Sequence, residues 1–254
     1  MSDQVLIERE GDLAIVTLNR PERRNALGSA DARAVAEAII EASQGSRLII
    51  LTGGGEAFCA GGDLEELARW NDLDPGEISG VLYESFQQMV RNIRASHAIV
   101  IAAINGAAVG AGMDLALACD LRIASENAKL GQIWVRLGVI PGTGGAWLTQ
   151  MLAGPTRAAE MLLTGDLIDA ETALEAGLVN EVVPDGDLMA AARRMAERVL
   201  RHPTDGVVAN KVAMVRAQDA AVESALTHAA EIQPGRFTSA EFRDAVKKAR
   251  APRS

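Results

Sequence analysis

The sequence predicts an α/β fold whose C-terminal part is helical only. Three observations carry this. Short apolar runs of strand length, "RLIILTG" and "AIVIAAI", alternate with stretches of helical spacing. Each of these runs leads into a Gly-rich loop and then into another helical stretch. From about Pro203 onward nothing reads as a strand. The chain carries no fixed-period repeat and no low-complexity segment.

Taken in order, "VLIEREGDLAIVTLNRP" reads as a hairpin, with strands at residues 5–9 and 14–18 around a turn at Gly11 and Asp12. "SADARAVAEAIIEAS" places Ala34, Val35, Ala38, Ile39 and Ala42 on one helical face, with Ser29 as its N-cap. "RLIILTGGG" is a buried strand, and "EAFCAGGDLEELARW" is a loop entering a helix near Asp63. Residues 75–95 read as helix, "AIVIAAI" as strand, 110–118 as helix and "DLRIAS" as strand. Helices are expected at 145–152, 155–163, 169–176 and 188–201, with "GLVNEVVP" a strand-like interruption.

A chain of 254 residues holds one large domain, or one domain with an appendage. Its core must be aliphatic, because 48% of residues are hydrophobic and only 3% aromatic. The formal net charge of −9 argues against a nucleic-acid partner or an anionic membrane surface, while a few local basic residues can still hold a small anion. Cys59 and Cys119 lie in no metal or disulfide spacing, so no metal site is expected. The first residues are charged rather than signal-like, and the most apolar stretch, 98–113, is shorter than the ~20 residues of a membrane span. A soluble, cytoplasmic protein is expected.

Chemistry concentrates in the two Gly-rich loops, "LTGGGEAFCAGGD" and "AAINGAAVGAG". Glycine can serve tight turns and close packing, or let a ligand touch the backbone. Two loops ending at helix N-termini could aim two N–H groups at one oxygen. Gly110-x-Gly112 is followed by Leu115 where a dinucleotide fingerprint needs glycine, and neither loop has the GK[ST] of a phosphate loop. There is no GxSxG; Cys59 reads as a small buried thiol, and His97, His202 and His228 form no metal spacing. Asp114 falls in the first turn of a helix, among small and apolar residues. It is equally a dipole-complementing acid or a proton-transfer group beside a polarised oxygen.

The segments "LNRPERRNAL", "LTGGGEAFCAGGDLEEL", "AAINGAAVGAGMDLALACDLRIASENAKLGQ", "LGVIPGTGG" and "LLTGDLIDAETALEAGLVNEVVP" occur in this order. Together they resemble the crotonase superfamily, the enoyl-CoA hydratase/isomerase family, over nearly the whole chain. The resemblance implies a spiral of ββα turns over residues 1–190 that carries the site, then a helical region, 191–254, that forms homotrimers or dimers of trimers. It also implies a coenzyme A thioester as the substrate, with no prosthetic group. Carried over by position, the oxyanion donors are the N–H groups of Gly62 and Ala111, and Asp114 handles the proton. Ala60, Gly62 and Leu64 border the bent CoA, and Arg23, Arg24 and Ala26 approach its adenosine and phosphate end.

The departures from the family pattern bear on the reaction. Family hydratases hold a water between two glutamates. The first falls on Asp114, and the second, twenty residues later, on Trp134 in "GQIWVRLG". An indole donates one hydrogen bond and accepts none, so Trp134 cannot be a general base; it is expected to shape the substrate pocket. Family aryl-CoA dehalogenases share the Trp but need an Asp where this chain has Gly142, which also removes the acid that some family isomerases place in that loop. The usual "KPV" reads Ala98-Ile99-Val100, and the basic C-terminal ending is blurred, leaving Lys247 or Lys248 as a candidate CoA anchor. Thioester binding and enolate stabilisation are expected more strongly than hydration.

Overall fold

The computed structural model describes residues 4–251. Nine strands run in chain order: β1 (Val5–Glu10), β2 (Leu13–Leu18), β3 (Leu48–Gly53), β4 (Ile99–Ile104), β5 (Ala107–Val109), β6 (Leu121–Ser125), β7 (Lys129–Gly131), β8 (Ile168–Asp169) and β9 (Glu181–Val183). They form a six-stranded sheet in the order β1-β2-β3-β4-β6-β9 and a three-stranded sheet in the order β5-β7-β8. The β1–β2 hairpin is antiparallel, and every later pairing in the larger sheet is parallel. The hairpin turns at Gly11, whose φ is +61°.

The helices are α1 (Ser29–Ser43), α2 (Leu64–Trp70), α3 (Pro75–Val81), α4 (Gln88–Ala95), α5 (Ala111–Ala118), α6 (Gly145–Thr164), α7 (Ala170–Glu175), α8 (Leu188–Leu200), α9 (Thr204–Phe237) and α10 (Ala240–Arg250). A π-helical turn at Leu82–Gln87 joins α3 to α4. α6 contains a break at Gly154, φ +76°, just before Pro155, so the two helices read from sequence become one interrupted element.

Strands β3 and β4 are buried along their full length, which is why they read as continuous apolar runs rather than alternating ones. Their two faces serve two cores. Ile49, Leu51, Val100 and Ala102 face the main core with α1, α4 and α5. Leu48, Ile50, Ile99 and Ile101 face α8, which contributes Leu188, Ala191, Ala192 and Ala196. Residue 191 therefore lies within a helix packed on the sheet. The C-terminal helices are held by Lys211 of α9, which is buried and donates to the Ile93 and Ala98 carbonyls and to Asp120 Oδ2 at 2.7 Å.

The α/β core and the helical C-terminal region agree with the sequence. One local expectation does not: Gly28, not Ser29, is the N-cap of α1. Carboxylates take the capping role, since Asp31 accepts the Gly28 N–H at 2.8 Å and Glu66 of α2 accepts the Ser29 N–H at 2.9 Å. A Cβ on Gly28 would lie 2.4 Å from Glu66 Oε2, so any larger residue there would displace the end of that side chain.

Candidate active site

The two Gly-rich loops lie against each other. Cys59 and Ala108 form a parallel bridge, with Cys59 N donating to Ala107 O and Val109 N to Cys59 O. Gly61 takes φ +97°, and a Cβ there would sit 2.9 Å from Val109 O. A Cβ on Gly112 would sit 2.3 Å from Cys59 O. Close packing is thus a real reason for the missing side chains. It is not the whole reason, because the Gly62 and Ala111 N–H groups, one on each loop, donate to no other group among the described residues. Ala111 opens α5, so its N–H also lies at the positive end of the helix.

Asp114 is fully buried in the first turn of that helix. Gln132 Nε2 donates to Oδ1 at 2.8 Å, and Thr143 Oγ1 donates to Oδ2. Gln132 is itself held by Thr149 Oγ1 at 3.0 Å. A Cβ on Gly145, the first residue of α6, would fall 1.8 Å from Asp114 Oδ1, so glycine there makes the space the carboxylate occupies. Burial pushes the Asp114 carboxyl up to about 6; Thr143, Gln132 and the nearby Trp134 N–H each pull it down. The group is therefore poised to exchange a proton near neutrality.

Trp134, in a short 3-10 turn, is buried beside this carboxylate. A Cβ on Gly110 would lie 3.7 Å from its Cε2. The indole N–H is close enough to Asp114 to favour its charged form, yet it lacks hydrogen-bond geometry to any acceptor among the described residues.

With this arrangement known, the relatives are informative. The Enoyl-CoA hydratase/isomerase family model matches residues 8–251. This chain belongs to the enoyl-CoA hydratase/isomerase family. It is 36% identical over 247 residues to the short-chain-enoyl-CoA hydratase of Clostridium acetobutylicum, covering 96% of this chain and 93% of that one. It is 34% identical over 257 residues to the 1,2-epoxyphenylacetyl-CoA isomerase of Escherichia coli, covering 100% and 98%. The crystal structure of an enoyl-CoA hydratase/isomerase from Mycobacterium paratuberculosis superposes with a TM-score of 0.91 at 30% identity, over 98% of this chain and 99% of that one. The fold is the crotonase fold that the sequence motifs implied.

In this member of the family, the residues expected to border the CoA are brought side by side. Ala60 N donates to Arg24 O at 2.9 Å, Leu27 N to Gly61 O at 2.7 Å and Asp63 N to Leu27 O at 2.8 Å. Ala26, Ala60, Gly62 and Leu64 are each half-buried along this seam. Asn25, at φ +56°, fastens it by donating to the Gly54 and Ala57 carbonyls. The two arginines diverge. Arg23 is paired with Asp63 at 2.6 Å and Glu65 at 2.5 Å, which raise its pKa further. Arg24 is exposed, makes no such pair among the described residues, and lines a cavity of about 810 Å³ together with Asn105 and Lys129. Lys247 lines a separate cleft between α10 and α2 with Ala68 and Asn71; Lys248 is exposed nearby.

The other sequence candidates resolve simply. Burial pushes the Cys59 and Cys119 thiols up to about 12, so both are inert small core residues. His97, His202 and His228 are all exposed. No cluster of three or more metal-binding side chains exists among the described residues, and no helix there is long and apolar enough to cross a membrane. Gln132, Thr143 and Gly145 were not singled out by sequence. Their signal was faint: two polar side chains set in "GQIW" and "PGTGG", otherwise apolar or glycine.

Proposed function

We propose that the protein is an acyl-CoA-processing enzyme that stabilises a thioester enolate, with Asp114 as its single acid/base. The observation that carries this is the pairing of two uncommitted backbone N–H groups, Gly62 and Ala111, with a buried carboxylate one helical turn away. A thioester carbonyl seated on both N–H groups is polarised; each such donor is worth roughly 10² to 10³ in rate. The α-carbon proton passes to an Asp114 oxygen, and its electron pair moves into the carbonyl as the enolate oxygen. Where the acyl chain carries a β,γ double bond the enolate is a dienolate, and returning the proton to the γ-carbon moves the double bond to the α,β position.

Arg23, Arg24, Ala26, Ala60, Gly62 and Leu64 are the proposed CoA contacts, and no prosthetic group is invoked. Hydration would need a second acceptor to deprotonate water. Trp134 stands where family hydratases place it and cannot serve, so a one-carboxylate reaction is the first reading. Decarboxylation, C–C hydrolysis and aryl-CoA chemistry use the same enolate-type stabilisation and form the second reading. A CoA-thioester-binding subunit with little turnover is the third.

Calorimetry with acetyl-CoA, CoA and NAD tests the ligand class. Acyl-CoA should bind, and NAD should not. NAD binding as tight as acyl-CoA binding sinks the reading. Product analysis across a panel of acyl-CoAs then separates isomerase, other enolate chemistry and binding without turnover.

A further inference from the structure

We propose that Trp134 is a specificity-determining residue whose indole N–H binds an oxygen on the β-carbon of the acyl group, so that the preferred substrates are β-oxygenated acyl-CoAs. This rests on the acyl-CoA reading above and names the substrate class within it.

The inference begins from an unmet donor. Trp134 is 7% exposed, and its Nε1 is buried without a hydrogen-bond partner. A buried N–H left unpaired typically costs about 1 to 3 kcal/mol. A phenylalanine would fill most of the same space without that penalty. The nearest acceptor, the Asp114 carboxylate, is near enough to feel the indole N–H but is held by Gln132 and Thr143 out of hydrogen-bond geometry to it. An acceptor that enters the site beside the indole satisfies such a donor.

Position decides which part of a ligand that is. The indole Cε2, bonded to Nε1, is the ring atom that a Cβ on Gly110 would meet, at 3.7 Å. Gly110 directly precedes Ala111, whose N–H is the proposed seat of the thioester oxygen. A carbonyl anchored there directs the acyl carbons along the space between Asp114 and Trp134. The α-carbon faces the carboxylate, and the next carbon carries its substituent toward the indole. Since an indole N–H can only donate, the complementary group is an acceptor, such as a β-keto or β-hydroxyl oxygen. A hydrocarbon chain leaves the donor unpaired.

Calorimetry on wild type and Trp134→Phe, each with butyryl-CoA and acetoacetyl-CoA, tests this. Phe keeps the ring and removes the donor. Wild type should prefer acetoacetyl-CoA by roughly ten- to a hundredfold, and the variant should lose that preference while its butyryl-CoA affinity stays within about twofold. Equal affinities in wild type, or a variant that weakens both ligands alike, overturns the proposal and leaves acyl-CoA binding intact. Wild type binding neither thioester overturns the acyl-CoA reading itself and this inference with it. If Trp134→Phe does not fold, the assigned Trp134 indole N–H resonance of wild type answers instead. A downfield shift with acetoacetyl-CoA but not butyryl-CoA supports the assignment of this residue; identical spectra with the two ligands overturn it.

Discussion

The proposed mechanism concentrates the chemistry in one carboxyl group, that of Asp114. Its pKa of about 6 leaves it mostly ionised at pH 7, as a base must be. Turnover limited by proton abstraction should rise about tenfold per pH unit below 6 and level off above it, as a pH–rate profile would reveal. A profile flat from pH 5 to 8 would remove Asp114 from that step. Asp114→Asn should lower turnover by about 10² to 10⁴ with acyl-CoA affinity nearly intact. Stability runs the other way. The folded pKa is raised above the ordinary 3.8, so the unfolded chain gives up this proton first as pH rises. The associated stabilisation is complete below pH 3.8 and is lost by the time pH passes 6, a change of about 3 kcal/mol. The melting temperature of Asp114→Asn should therefore gain on wild type between pH 4 and pH 8; a constant difference would show that Asp114 is not held this way. The sequence placed Asp114 in a helix's first turn but left it equally a dipole-complementing acid. What favours the proton-transfer reading is burial and the hydrogen bonds from Gln132 and Thr143, contacts 18 and 29 residues away that no local pattern encodes.

At the level of elements, the site exists because two loops and one helix start are stripped of side chains. Gly145 is the sharpest case. As the first residue of α6 it could gain up to about 1 kcal/mol of helix propensity as alanine. The added Cβ would fall 1.8 Å from Asp114 Oδ1, and overpacking of this kind costs about 1 to 3 kcal/mol. The steric effect wins. Gly145→Ala should lower both melting temperature and turnover, the latter by about 10² if the carboxylate moves by an ångström. Unchanged turnover would mean that Asp114 tolerates displacement. In the 3-10 turn, Trp134→Glu should create or raise hydration of crotonyl-CoA, followed as loss of enoyl-thioester absorbance beside wild type. Fast hydration by wild type with no gain in a folded variant would refute the handicap ascribed to Trp134. The long elements were legible because their apolar spacing is internal. Strands β5, β7 and β8, of three, three and two residues, were not. Segments that short carry no period of their own and take their form from pairing with one another.

For the whole molecule, aliphatic composition has a visible consequence. The core is built mainly from Ala, Val, Leu and Ile, and four of its buried aromatic rings, Trp70, Phe86, Phe237 and Phe242, meet edge to face between α2, the π-helical turn and the C-terminal helices. Large apolar side chains also remain on the surface, among them Leu163 at 77% and Met214 at 61% exposure. Self-association into trimers or dimers of trimers is the expected use of such surface. Sedimentation should give three or six times the 26.7 kDa chain mass, and a monomer at micromolar concentration would contradict it. The outline of the fold was readable because the sheet faces two cores and so appears as unbroken apolar runs. The fastening of α9 to α4 and the start of β4 was not, because Lys211 bonds to groups 91 to 118 residues away that no local pattern encodes.

That lysine sets a timetable for the molecule. Lys211 completes the bonding of Asp120, made 91 residues earlier, and of Ala98, made 113 residues earlier. At about 5 to 20 residues per second, a ribosome takes roughly 5 to 20 s to travel from Asp120 to Lys211. During that interval β6 and β9 are added to the sheet, while the ammonium that closes the junction with α4 is still missing. The nascent protein is thus an unfinished core, and α9, which begins only at Thr204, brings the piece that closes it.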